Sequence, residues 1–99
     1  MKPPFDSLRI LGKEWSLISK PELIDDDGQS VYGLCDIAEQ RILYIDDVTP
    51  SQIRDTCLHE SIHAIDLSLG LCMTEQQVHA MAAGLFALFR DNPEFKEWL

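Results

Sequence analysis

Ninety-nine residues, 45% of them hydrophobic and 25% charged, suffice for one modest core. They exclude a disordered chain, and leave little room for a deep, many-walled cleft. Eight Lys and Arg against 17 Asp and Glu leave a net charge of −9, which disfavours docking on nucleic acid or an anionic membrane, since both need clustered cations.

The acidic residues are dispersed, and the one run, Asp25-Asp26-Asp27, reads as solvated surface. Met1–Asp6 has no apolar stretch of the kind a secretory signal carries. The longest segment without Asp, Glu, Lys or Arg, Gln76–Phe89, falls short of the roughly 20 apolar residues of a membrane span. Cys35, Cys57 and Cys72 are odd in number and form no CxxC, so they read as reduced thiols acting as small hydrophobes in a cytoplasm.

In chain order, Leu8–Ile18 is β-branched, aromatic and apolar, and is broken by Gly12-Lys13, as one strand or two short pieces. Lys20-Pro21 and Asp25–Gly28 are turn material. Ser30–Cys35 and Arg41–Ile45 read as an antiparallel hairpin joined by Asp36–Gln40. Thr49-Pro50-Ser51-Gln52 then starts a helix, with Thr49 as cap, Pro50 at the first helical position and Gln52 completing a capping box. Leu58, Ile62, Ile65 and Leu69 lie on one face of it and are expected to pack on the sheet. Gly70 can end it. Thr74-Glu75-Gln76-Gln77 opens a second helix, whose stripe Val78, Met81, Ala82, Leu85, Leu88 and Phe89 reads as core. Asn92-Pro93 stops it, and Pro93–Leu99 can add a terminal turn with Phe95 and Trp98 on one side. The expected architecture is one α+β domain over residues 1–99. It has a short antiparallel three-stranded sheet within about 8–46, a motif helix at about 50–69 and a second helix at about 75–91.

The chemistry sits in His59-Glu60-Ser61-Ile62-His63, an HExxH sequence. At about 3.6 residues per turn, His59 and His63 leave one helix face a turn apart and can share one Zn²⁺. Glu60 is one position round the helix, placed to act on a water at the metal. Shuffling this composition yields the motif about 0.004 times per chain, so chance is a small risk. A catalytic zinc site needs a third protein ligand and an open position. Asp66 and Leu69 stand where the longer HExxHxxGxxH pattern needs Gly and His, so that class is excluded. Glu75, in the first turn of the second helix, is the favoured third ligand, with His79 one turn further as a supporting residue or as the ligand itself. Asp66, on the face of His63, is placed to accept from that histidine's free ring nitrogen.

The motif and the segment Glu75-Gln76-Gln77-Val78-His79-Ala80-Met81-Ala82 resemble the gluzincin-type metallopeptidases. The nearest likeness is to the small bacterial and phage-associated ImmA/IrrE-related proteins with their E-x-x-A-N-x-F-A signature. The likeness covers roughly Val31–Phe89. It implies a minimal zincin with His59, His63 and Glu75 as zinc ligands and Glu60 as catalytic base, in a host cytoplasm if phage-encoded. His79 departs from the Asn or Asp more common at its position, which leaves two coordination sets open. The expected activity is zinc-dependent hydrolysis of a peptide bond in a protein or peptide substrate. His79, Tyr44 and Tyr32 are candidate oxyanion donors by residue type. The alternative is a non-catalytic zincin-scaffold module that binds or inhibits a protein partner. Its motivation is the shortness of the chain and an acidic surface suited to a basic partner.

Overall fold

The structure, a computed structural model, describes residues 2–99. Two short strands, β1 (Ser7–Ile10) and β2 (Lys13–Lys20), open it as a hairpin in which Ile10 pairs with Lys13. The break at Leu11-Gly12 therefore makes two pieces rather than one strand. Leu11 and Gly12 both have positive φ, +51° and +79°, which a tight turn matched to the twist of its strands requires and which glycine supplies without strain. Pro21–Tyr32 then reverses the chain through an acidic turn. There Asp25 Oδ1 accepts from the N–H groups of Asp27 and Gln29, each at 2.9 Å.

A second hairpin follows, β3 (Gly33–Asp36) antiparallel to β4 (Arg41–Ile45). Arg41 donates to Asp36 across its mouth at 2.8 Å. The expected antiparallel three-stranded sheet is corrected here. The sheet has four strands in the order β1-β2-β4-β3, and β4 runs parallel to β2. One reversal before β3 and another after it bring β4 back in the direction of β2. β4 is the more apolar partner of its hairpin, so it takes the interior position, with Ile42 and Tyr44 buried. β3 is left as an outer edge.

Helix α1 (Pro50–Leu69) starts under Thr49, whose Oγ1 accepts from the Gln52 N–H at 3.2 Å. The expected capping box closes only by half, because the Gln52 amide turns to Thr56 Oγ1 instead. Gly70 ends α1 in the left-handed conformation (φ +67°), its N–H returning to Asp66 O. Helix α2 (Glu75–Asp91) has a complete box between Thr74 and Gln77. A third helix, α3 (Pro93–Trp98), adds to the two expected and stacks Phe95 beside Trp98. Among the described residues, no helix is long and apolar enough to cross a membrane.

Two clusters hold the layers. Ile10, Trp15, Ile42 and Ala64 pack between sheet and α1, and Ile62, Val78 and Ala82 pack between α1 and α2. Trp15, Ile42, Ile53 and Val78 are the largest fully buried side chains, each worth about 1.5–3 kcal/mol of burial. The expected stripe of α1 divides accordingly. Leu58 and Ile62 turn to α2, Ile65 joins the sheet cluster, and Leu69 is exposed. α1 is sandwiched, and the row that meets the sheet is Thr56, Glu60 and Ala64, spaced by four residues. Two of those three are polar, so a search for apolar periodicity passes over them. On α2, Met81 and Leu88 are likewise exposed rather than core.

Candidate metal centre

The helical part of α1 sets the histidines one turn apart, with ring centroids 4.9 Å from each other. The loop after Gly70 sets what faces them. Asp66 is buried, and its Oδ1 accepts the Met73 N–H at 3.1 Å, while its backbone carbonyl accepts from Gly70 and Leu71. Asp66 is thus a clamp on the loop, in place of the expected partner of His63. The turn it holds delivers Thr74 as cap and Glu75 as the first residue of α2.

There the Glu75 carboxylate accepts from both imidazoles. His59 Nε2 lies 2.6 Å from Oε1, and His63 Nε2 lies 2.9 Å from Oε2. Both rings therefore present the same nitrogen to one point. Ligand atoms of His59, Glu60 and His63 all lie within 4.8 Å of one another, a grouping that could hold a metal ion. All three stand on α1, and two imidazoles with a carboxylate are donors that divalent metal ions accept; Glu75 faces the two imidazoles from α2. His79 stands beside this point, its ring centroid 6.2 Å from that of His59. It lines the cleft and makes no bond to Glu75.

Glu60 differs from the other members in its burial. It is 7% exposed, against 70% for the Glu75 side chain. Its stem packs over Gly33 of β3, where an added Cβ would lie 3.0 Å from Glu60 Cγ and 2.5 Å from Thr56 Cγ2. Burial first, then the charge of Glu75, pushes the Glu60 carboxyl up to about 7. A carboxyl so placed exchanges a proton near neutral pH.

His59, Glu60, Glu75 and His79 floor an open cleft of about 400 Å³ between α1, the start of α2 and the Ser30–Gly33 segment leading into β3. Tyr32 is exposed along it. Tyr44, the other tyrosine candidate, is buried in β4 and does not line the cleft, so it is no donor there. Gln52, Asp55 and Thr56 complete the α1 wall. Sequence reasoning missed these residues and Gly33. A glycine inside a strand pattern is the signal that finds it, because it marks a close approach of backbone or side chain. Comparison with family models, with curated proteins and with solved structures gave no match.

Proposed function

We propose that the chain is a zinc-dependent peptidase of gluzincin type, related to the small ImmA/IrrE-like proteins, with His59, His63 and Glu75 as the metal ligands. One observation carries the reading: two Nε2 atoms a helical turn apart aim at one carboxylate from the next helix, with a buried glutamate beside them. Bound there, Zn²⁺ supplies a Lewis acid that polarises a carbonyl and makes water more acidic. Glu60 takes the proton of the attacking water and passes it to the leaving amine. Its packing over Gly33 holds the carboxylate still while it does so. His79 and Tyr32, both on the cleft, are the candidate donors to the developing oxyanion. The outer edge of β3 offers unpaired backbone groups along which an extended peptide can add as a strand.

The openness of the cleft favours a second reading, a metal-holding module that engages a basic partner without turnover. Among the described residues its walls are α1, α2 and the Ser30–Gly33 segment. One experiment separates the two. Wild type, Glu60→Gln and Glu60→Ala are incubated with a proteome-derived peptide library, with and without a chelator, and their zinc content is measured. The peptidase reading expects stoichiometric zinc in all three. It expects chelator-sensitive cleavage by wild type, and a loss of about 10²–10⁴-fold in both variants. Zinc without cleavage by wild type supports the binding module, and unchanged cleavage in both variants refutes the role of Glu60.

A further inference from the structure

On another face of α1, away from the histidines, lies a cavity of about 490 Å³. Its walls are the N-terminal segment and the α1 row Ile53, Cys57 and Leu58, with Phe5 and Leu8 opposite. The polar atom nearest to serving a ligand, Ser61 Oγ, already donates to Cys57 O at 2.7 Å. The interior therefore asks for an apolar occupant, the Cys57 thiol being the one weak side-chain donor left on its wall among the described residues. Every charged residue on the lining is a cation: Lys2, Arg54 and Lys96. That is notable in a chain with 8 cations and 17 anions. Among the described residues Arg54 and Lys96 have no ion-pair partner, and Lys2 reaches Asp46 only at 3.9 Å. A neighbouring cavity of about 440 Å³ shares Arg54, Leu58 and Lys96, and adds Phe86, Phe89 and Arg90. Half of the chain's Lys and Arg thus border one continuous apolar region.

An apolar cavity of this size, with charge of one sign at its rim, matches a single-chain amphipathic anion. A free anion has no reason to choose the apolar walls, and an uncharged or cationic chain gains nothing from the rim. We propose that this cavity binds a long-chain fatty acid, its alkyl chain against Phe5, Leu8, Ile53 and Leu58 and its carboxylate at Arg54 and Lys96. The site is independent of the metal centre.

Calorimetric titration of the full chain with laurate, dodecyltrimethylammonium and acetate, all below micellar concentration, tests it. The expected result is one laurate per chain, bound at least about tenfold tighter than the cation of equal chain length, with acetate not binding measurably. The exposed-residue variant Arg54→Gln/Lys96→Gln should weaken laurate by about tenfold and abolish the preference between headgroups. Glu75→Gln should bind laurate as wild type does. A diazirine-bearing fatty acid should label residues 2–8 together with Ile53, Cys57 or Leu58. Absence of laurate binding, equal affinity for the two headgroups, or unchanged laurate affinity in the double variant each overturns the proposal. So does any change in Glu75→Gln, or labelling at 30–33 and 75–79, since either would put the carboxylate in the histidine cleft.

Discussion

Replacing Gly33 by Ala adds one methyl group where α1 crosses the sheet. The new Cβ would stand 2.5 Å from Thr56 Cγ2, 3.0 Å from Glu60 Cγ and 3.1 Å from Leu43 O. Carbon atoms rest at about 3.5–4.0 Å, so Thr56 must retreat by about 1 Å. Thr56 is 4% exposed and its hydroxyl is held by Gln52, so it has nowhere to retreat without moving α1. Overpacking of this kind costs about 1–3 kcal/mol. In a domain of this size that lowers Tm by about 5–20 °C. Thr56→Ser removes the clashing methyl and keeps the hydroxyl, so Gly33→Ala/Thr56→Ser should recover most of the loss. The coupling energy in a double-mutant cycle should be about 1–2 kcal/mol. Urea and thermal unfolding of the four proteins measure it. A Gly33→Ala protein within about 0.5 kcal/mol of wild type, or a cycle with no coupling, would refute the account of how α1 and Glu60 are seated.

Zinc added at about 100 times its Kd should stabilise the wild type by about 2.7 kcal/mol. His59→Ala and Glu75→Gln should lose most of that thermal shift and His79→Ala little; the reverse pattern would make His79 the ligand. Asp66→Ala leaves the Met73 N–H without its acceptor and should cost about 1–3 kcal/mol. It should also weaken zinc binding, whereas Asp66→Asn, which keeps an acceptor oxygen, should do less of both; equal unfolding midpoints for Asp66→Ala and wild type would sink the clamp. Burial pushes the Cys57 thiol up to about 11 and the Cys35 thiol up to about 12, with Glu60 adding to both. A raised pKa means less thiolate at a given pH, so at pH 9 Cys57 should be about one-hundredth ionised and Cys35 less. Iodoacetamide should then modify exposed Cys72 long before either, as read by peptide mass mapping, and comparable rates would contradict the burial.

What was legible in the sequence was whatever is fixed within a few residues. The starts of α1 and α2 are written in Thr49 and Thr74, and the spacing of His59 and His63 follows from helix geometry alone. Whether Leu8–Ile18 made one strand or two was left open, because Leu11, a residue that does not signal a turn, shares the positive-φ corner with Gly12. The parallel pairing of β2 with β4 depends on the course of Pro21–Tyr32, which carries no periodic signal. The same limit applied to Asp66. On a helical wheel it lies beside His63, and only the path of the loop after Gly70 brings Met73 to its carboxylate. That Glu75 meets both histidines was expected from a helical reversal. That Glu60 is buried over a glycine was not, because a contact between strand and helix leaves no mark on either element's own pattern.

The two-residue-deep anchoring of α2 has a consequence for how the chain opens. Within α2 only Val78 and Ala82 are buried, and α3 adds no buried residue. The sheet, by contrast, is locked to α1 through Trp15, Ile42 and Ala64. Cooperative units of unequal strength open separately, so amides of α2 and α3 should exchange with solvent through a partial opening that leaves the sheet and α1 closed. Glu75 travels with the weaker unit and the histidines stay with the stronger one. A cation held by all three would join the two units, and the rate at which it is released would be set by the detachment of α2.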